Sequence, residues 1–296
     1  MEKNSTAGLS STTDLDQKLH PQTSLGYVHL TITNMDRSLS FYQQALGFQL
    51  HHQERDTSYL GVGKEIVLAL TEVPSAKYVP RRTGLYHFAI LTPSRKALAN
   101  SLKNLLDTDT PLQGGADHLV SEALYLSDPD QNGIEIYRDR PRSEWQYVNG
   151  ELVMGTEPLD YRGILNEVNG YSEDWKGLEP GTHLGHMHLH VADLTKAIKF
   201  YENILGFNFM INYMGTAAFL SVGGYHHHIG LNVWNGVGAP PPPPDSVGLR
   251  YFTVRLVNNS ELEMLVARLT DHQIDFETTS EGLFVRDPSQ NGILFV

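Results

Sequence analysis

The chain repeats one pattern of apolar and polar positions four times, and each repeat begins with a segment typical of a strand. In the first repeat, Val28, Leu30 and Ile32 alternate with more polar residues, which is the period of a half-buried strand. Apolar residues from Leu39 to Leu46 then recur at helical spacing. Short apolar segments separated by turn signals such as Asp-Pro close the repeat. The pattern predicts a βαβββ module.

The four modules come in the order A, B, A′ and B′. The segment LGYVHLTITNMDRSLSFYQQALGFQL, which starts at Leu25, matches LGHMHLHVADLTKAIKFYENILGFNF at Leu184 without a gap. DPDQNGIEIY at Asp128 similarly matches DPSQNGILFV at Asp287. We place A at residues 24–80, B at 84–137, A′ at 183–238 and B′ at 248–296. Four such modules predict an α+β protein with two open, barrel-like units.

The modules predict a simple domain organisation. An N-terminal domain is expected over residues 24–137 and a C-terminal domain over 183–296, with residues 138–182 as a linker. Residues 1–23 are expected to be a mobile leader. The run Pro240–Pro244 suits neither a sheet interior nor a helix, so we expect it to be an exposed polyproline II connector between A′ and B′.

Charge and composition exclude several classes of partner. The chain carries 34 acidic and 22 basic side chains, a net charge of −12, which repels nucleic acid and anionic lipid. No apolar run approaches the roughly 20 residues of a membrane span, and the leader does not resemble a signal peptide, so a cytoplasmic location is expected. The lack of cysteine removes disulfides, thiolate metal sites and cysteine nucleophiles. Fourteen histidines justify a search for a metal site.

One sequence motif carries a resemblance to a known family. A strand, then D/N-x-x-x-[S/A]-x-x-FY-x-x-x-LGF, then DPDxNGIE, resembles the pattern of the vicinal-oxygen-chelate superfamily, which includes glyoxalase I, fosfomycin-resistance proteins and extradiol dioxygenases. The resemblance covers essentially the whole chain after residue 24. Four modules in one chain are most similar to the two-domain extradiol dioxygenases, and among them to the small Bacillus-type catechol-2,3-dioxygenases.

The resemblance implies metal ligands on the first strand of each module and on the last strand of a B-type module. The matching positions are Tyr27, His87, His186 and Tyr251 on the first strands and Glu135 and Leu294 on the last strands. Neither sequential half holds a complete set, which departs from the usual extradiol pattern. If B packs against A′, one unit gains His87, Glu135 and His186, and the unit of A with B′ has no metal. Two histidines and one carboxylate suit a non-haem Fe(II) oxygenase, with Mn(II) as an alternative.

The resemblance also implies a set of residues around the metal. The segment Tyr225–Leu231 resembles the extradiol segment that carries an acid–base histidine, which maps to His227. His226, His227 and His228 are expected to alternate sides of a strand, so that His226 and His228 share one face, His227 lies on the other, and only one side can face the metal. Tyr125 is expected to hydrogen-bond a substrate oxygen, and His118 and His228 to contact substrate. The alternatives are an ordinary strand aromatic for Tyr125 and a polar cluster, or adventitious metal binding, for the histidine run.

These residues predict an extradiol dioxygenase that opens catechol-type rings with O₂, as in the catabolism of aromatic compounds. One alternative is a glyoxalase-type isomerase or thiol transferase, but Ala69 and Asn232 stand where glyoxalase I would need a carboxylate. The other is a small-molecule-binding protein without catalysis, which the retained His87, Glu135 and His186 argue against. Nucleic acid and membranes are not expected as partners, and a homo-oligomer is left open.

Overall fold

The computed structural model describes residues 18–168 and 175–296. Module A contains β1 (Ser24–Ile32), α1 (Met35–Ser40, continued by a π-helical turn at Phe41–Ala45), β2 (Gln49–Glu54), β3 (Thr57–Val62) and β4 (Glu65–Glu72). The α1 helix begins at Asn34, whose side chain accepts a hydrogen bond from the Arg37 amide. Gly47 follows the π-helical turn with φ of 81°, in the left-handed region that glycine adopts without strain. Module A is therefore βαβββ.

Module B and the segment after it follow directly along the chain. Module B contains β5 (Gly84–Leu91), α2 (Arg95–Asp107), β6 (Gly114–Asp117), β7 (Ser121–Ser127) and β8 (Gly133–Asp139). The segment after it contains a 3-10 turn (Arg142–Glu144), β9 (Tyr147–Val148), β10 (Glu151–Leu152), β11 (Glu157–Pro158) and α3 (Tyr161–Asn166). The region expected to be a linker therefore has structure of its own, and its Trp145 and Leu152 are buried.

The second pair of modules repeats the same plan. Module A′ contains β12 (His183–His190), α4 (Leu194–Lys199, continued by a π-helical turn at Phe200–Ile204), β13 (Asn208–Tyr213), β14 (Ala217–Ser221) and β15 (Ile229–Asn232). Module B′ contains β16 (Gly248–Arg255), α5 (Asn259–Asp271), β17 (Phe276–Thr278), β18 (Leu283–Arg286) and β19 (Gly292–Phe295). The expectation of four βαβββ modules in an α+β protein is confirmed.

Two large sheets join the modules in a swapped arrangement. One sheet has nine strands in the order β11-β6-β7-β8-β5-β12-β15-β14-β13, so B and A′ share it. The other has eight strands in the order β17-β18-β19-β16-β1-β4-β3-β2, so B′ and A share it. The central pairs, β5 with β12 and β1 with β16, are antiparallel. We call these the B/A′ unit and the A/B′ unit; the predicted pairing of B with A′ is confirmed.

The repeated tyrosine and aspartate of the sequence motifs join the two units. The Tyr42 hydroxyl of module A donates to Oδ2 of Asp128 in module B at 2.9 Å. The Tyr201 hydroxyl of A′ donates to Asp287 of B′ at 3.2 Å. All four residues are buried. Each sequential half is thus linked by a Tyr–Asp hydrogen bond, whereas each sheet links modules from different halves.

The ends and connections differ in part from expectation. Residues 1–17 of the expected leader lie outside the described residues, but Leu19 is buried and its amide donates to the Gly206 carbonyl at 2.9 Å. The chain therefore joins the fold before the expected start at residue 24. Pro240–Pro244 lies outside strands and helices and is mostly exposed, as expected. No helix among the described residues is long and apolar enough to span a membrane.

Candidate metal centre and active site

The register of three adjacent strands brings His87, Glu135 and His186 onto one face of the nine-stranded sheet. Glu135 of β8 lies opposite Ala89 of β5, and His186 of β12 lies opposite the same alanine from the other side. His87 precedes Ala89 by two residues and therefore points to the same face. The methyl side chain of Ala89 leaves the space between the three larger side chains open.

The three side chains converge on one point. Oε2 of Glu135 lies 3.0 Å from Nε2 of His87 and 3.2 Å from Nε2 of His186, and the two nitrogens are 3.3 Å apart. Ligand atoms about 2.1 Å from one metal ion and at right angles to each other lie about 3.0 Å apart. The donor set therefore fits a divalent metal. Among the described residues, His87, Glu135 and His186 form a cluster whose ligand atoms lie close enough together to hold a metal ion.

The electrostatics of the cluster favour the protonation states that metal ligands need. Burial opposes the charge of Glu135, but His186 and His87 outweigh this and hold the pKa of the carboxyl well below its usual value. Burial lowers the pKa of His186 to about 4, although Glu135 opposes that shift. An ionised carboxylate beside a neutral imidazole is a ligand set ready for a cation.

A cavity of about 250 Å³ opens in front of the cluster. The three clustered residues line it together with His118, Tyr125 and His227, which the resemblance had indicated as residues around the metal. Nδ1 of His118 donates to the Gly155 carbonyl at 2.7 Å, so in the neutral ring Nε2 is an acceptor. The Tyr125 hydroxyl therefore donates to that Nε2, also at 2.7 Å. Burial, followed by the charge of Glu135, raises the pKa of Tyr125 and keeps the phenol protonated.

The three consecutive histidines do not lie in a strand, contrary to expectation, because β15 begins only at Ile229. They lie in the irregular segment before it, so their side chains need not alternate. His227 faces the cavity, with its ring centroid 4.1 Å from that of His186. Burial and the surrounding histidines lower the pKa of His227 well below its usual value. His226 points away and bonds Asp139 through Nε2 at 2.9 Å.

His228 is placed elsewhere. Its Nδ1 lies 3.0 Å from the Ser221 hydroxyl, and its ring lines a different cavity together with Pro21 and Arg142. The structure therefore does not bring His228 to the cavity in front of the metal cluster. The expected contact between His228 and substrate has no geometric support.

Comparison with known proteins gives the family. A family model described as the Glyoxalase/Bleomycin resistance protein/Dioxygenase superfamily matches residues 24–136 and 183–295. The chain belongs to this superfamily. A catechol-2,3-dioxygenase of Bacillus subtilis (strain 168) is 47% identical over 275 residues, which cover 91% of this chain and 95% of that protein.

Solved structures of the superfamily fold agree with the architecture. Glyoxalase I from Zea mays aligns with a TM-score of 0.59 at 14% identity, over 93% of this chain and 92% of that one. The cppA protein from Streptococcus pneumoniae TIGR4 aligns with a TM-score of 0.55 at 13% identity, over 94% of this chain and 98% of that one. At these identities, the likeness concerns the fold alone.

The register corrects one position that sequence reasoning assigned from the superfamily pattern. In module A′, Gly230 pairs with His188 as Glu135 pairs with Ala89 in module B, so Gly230 occupies the place that had been given to Asn232. Asn232 instead accepts a hydrogen bond from Nδ1 of His190 at 2.7 Å. A Cβ at Gly230 would lie 2.9 Å from the His188 ring, so no larger residue fits there without rearrangement. Module A′ thus offers no fourth carboxylate.

Among the described residues, the A/B′ unit has no cluster of histidine, aspartate or glutamate side chains placed to hold a metal ion. The hydroxyls of Tyr27 and Tyr251, which stand on the first strands at the positions that match His186 and His87, lie 3.1 Å apart. Leu294 and Ala69 occupy the last-strand positions and have no donor atom.

Several cavity residues were not predicted. They are Tyr86, Ala116, Met154, Gly155, Thr156, His188, Tyr213, Phe219 and Trp234. His188 could have been found, because it follows His186 by two residues on the same strand face. Met154, Gly155 and Thr156 come from the region expected to be a linker, where no periodic pattern indicated a role.

Proposed function

We propose that the protein is an extradiol ring-cleaving dioxygenase that opens catechol-type rings with O₂. The observation that carries the proposal is the set of two histidines and one carboxylate, within 3.3 Å of one another, at the inner wall of a mostly apolar cavity. The similarity to the Bacillus subtilis catechol-2,3-dioxygenase supports it. A cytoplasmic location stays a prediction.

His87, Glu135 and His186 would hold the metal, for which we propose Fe(II), with Mn(II) as the alternative. When bound, the metal supplies the redox chemistry that couples ring oxidation to the reduction of O₂. The ionised Glu135 leaves the bound ion with one net positive charge, which favours a substrate that binds as an anion.

Three further side chains would act on the substrate. His227 lines the cavity beside His186, so we propose that it takes the proton of a catechol hydroxyl and returns it later. Tyr125 and His118 would act as a linked pair, because the His118 ring holds the Tyr125 hydroxyl in place. This pair would orient one substrate oxygen.

The cavity walls indicate the kind of ring that fits. They include Tyr86, Met154, Phe219 and Trp234, which favour an aromatic ring. Among the described residues that line the cavity, none is a lysine or an arginine. A carboxylate on the substrate would therefore be buried without a partner, which is costly. We propose catechols with uncharged ring substituents as the substrate class.

Metal loading separates this proposal from a glyoxalase-type reaction. The purified protein would be loaded anaerobically with Fe(II), Mn(II), Zn(II) or Ni(II), and oxygen uptake on addition of catechol would be compared with isomerisation of a hemithioacetal. We expect oxygen uptake and a yellow product with Fe(II) or Mn(II) and no isomerisation with any metal. The variant His87→Ala should abolish uptake, and His52→Ala, at an exposed histidine of β2, should not. Isomerisation without oxygen uptake would overturn the proposal.

A further inference from the structure

A hydrogen-bonded chain leads from the end of β8 to the active-site cavity. Asp139, the last residue of β8, lies on the same strand face as Glu135, four residues earlier. Oδ1 of Asp139 lies 2.9 Å from Nε2 of His226, and Nδ1 of His226 lies 2.7 Å from Nδ1 of His227. The proposed metal ligand and the start of this chain are therefore carried by one strand.

The chain has a defined direction. A carboxylate accepts hydrogen bonds only, so Nε2 of His226 carries the proton and its Nδ1, in the neutral ring, is an acceptor. Nδ1 of His227 must then be the donor. In a neutral His227 ring this leaves Nε2 without a proton, and Nε2 has no hydrogen bond with any described residue. Because His227 lines the cavity, its free lone pair is available there.

Neighbouring side chains hold Asp139 and His226 of this hydrogen-bonded chain in place. The side chain of Asp139 is 26% exposed and borders solvent, whereas His226 is fully buried. The Tyr225 hydroxyl also donates to Oδ1 of Asp139, at 3.2 Å, and therefore accepts from the Tyr137 hydroxyl at 2.8 Å. The rings of Tyr225 and Trp145 pack on His226, with centroids 4.0 and 5.6 Å away.

We propose that Asp139 and His226 are positioning residues that hold His227 as the tautomer protonated on Nδ1, with Nε2 free toward the cavity. This inference rests on the proposed function for its consequence, since a proton acceptor at Nε2 matters only if a substrate hydroxyl reaches it. The tautomer itself is a property of the chain and can be measured without a reaction.

The substitution Asp139→Asn should reverse the direction of the hydrogen bonds from residue 139 through His226 to His227. The asparagine NH₂ group can donate to Nε2 of His226, which moves the His226 proton to Nδ1 and makes that atom a donor. Nδ1 of His227 then accepts, and its proton moves to Nε2, where it blocks the lone pair. Asp139→Glu keeps the carboxylate and should restore the wild-type tautomer.

Long-range ¹H–¹⁵N spectra of the full-length protein, labelled at histidine and loaded with diamagnetic Zn²⁺, report which nitrogen carries the proton. His227→Gln identifies the His227 signals. We expect His227 protonated on Nδ1 in the wild type and on Nε2 in Asp139→Asn. Asp36→Asn, an exposed aspartate in module A with the same change of charge, should leave the His227 signals unchanged. A wild-type His227 protonated on Nε2, or an unchanged tautomer in folded Asp139→Asn, would overturn the proposal.

Activity adds a second readout. In the Fe(II)-loaded protein, Asp139→Asn should lower kcat for catechol about 100-fold, the scale of a lost acid–base group, with little change in KM. A wild-type protein without oxygen uptake would refute the proposed function but leave the tautomer result intact. If Asp139→Asn does not fold, His226→Phe is the alternative variant, because it removes the hydrogen-bond acceptor of His227. In either case, a wild-type spectrum in which His227 carries its proton on Nε2 decides against the proposal.

Discussion

Oε2 of Glu135 lies 3.2 Å from Nε2 of His186, although the two residues belong to different sequential halves of the chain. Glu135 is in module B and His186 is on the first strand of module A′, and the antiparallel pair of β5 with β12 brings them together. The candidate metal centre therefore depends on the swapped pairing of modules. Each half alone lacks at least one of the three ligands.

The first prediction concerns metal affinity and the space beside Ala89. Because Ala89 lies between Glu135 and His186 and is fully buried, Ala89→Val should push the ligand atoms apart. We expect the affinity for Zn²⁺ or Fe(II), measured by calorimetry, to fall at least tenfold. Ala69→Val places the same added volume in the A/B′ unit and should destabilise the protein by about 1–3 kcal/mol without a loss of metal affinity. Equal affinities in the two variants would contradict this description of the site.

The second prediction concerns the role of the hydrogen bond between Tyr125 and His118 in activity. Tyr125→Phe removes the donor to Nε2 of His118, so the ring loses one of the two contacts that hold it. We expect kcat/KM for catechol to fall about tenfold and the stability to fall by about 1 kcal/mol. Tyr59→Phe, on β3 in the A/B′ unit, is the control and should change neither kcat nor KM. An unchanged kcat/KM in Tyr125→Phe would show that the pair does not orient substrate.

The described residues that line the cavity include no lysine or arginine, which predicts selectivity for uncharged catechols over carboxylated ones. The kcat/KM for catechol or a methylcatechol should exceed that for 3,4-dihydroxybenzoate at least tenfold, since the buried carboxylate would have no partner. Thr156→Arg adds a cation to the cavity wall and should reduce the difference in kcat/KM between the two substrates. Steady-state oxygen uptake with each substrate measures kcat/KM in the wild type and in the variant. A preference for the carboxylated ring in the wild type would contradict the proposed substrate class.

His29 in the A/B′ unit predicts part of the dependence of stability on pH. Burial, with a contribution from Arg250 and against one from Asp56, lowers the pKa of His29 to about 3. The unfolded chain therefore binds a proton below about pH 6.5 that the folded chain does not, and stability is lost as the pH falls from about 6.5 toward 3. Denaturant unfolding at several pH values should show a shallower loss in His29→Gln than in wild type. His52→Gln, at an exposed histidine, should follow the wild type, and parallel curves for all three proteins would refute the assignment.

The sequence predicted most of the fold and the centre of the site, because both leave periodic signals. Strand and helix patterns repeat, and the resemblance to the superfamily pattern indicated His87, Glu135 and His186 as the ligand positions. The pairing of B with A′ followed from the need for a complete ligand set. Counting positions along a motif failed at Asn232, because strand register, not distance in sequence, decides which residue faces the metal.

Local irregularity explains the other departures. His226, His227 and His228 were expected to lie in a strand, but the segment before β15 is irregular. His226 contacts Asp139 and His227, whereas His228 contacts Ser221. Met154 and Thr156 reach the cavity from a segment without hydrophobic periodicity. Side chains that enter a site from such segments are set by tertiary contacts, which a single sequence does not display.

The equivalent positions of the two units provide the most direct test of the central claim. Glu135 and Leu294 occupy matching places on β8 and β19, in the B/A′ and A/B′ units. Oxygen consumption and formation of the yellow ring-opened product would be followed together in Fe(II)-loaded Glu135→Ala and Leu294→Ala. We predict one O₂ consumed per catechol in the wild type and in Leu294→Ala, and neither signal in Glu135→Ala. Full activity in Glu135→Ala, or its loss in a folded Leu294→Ala alone, would contradict a metal centre built from modules B and A′.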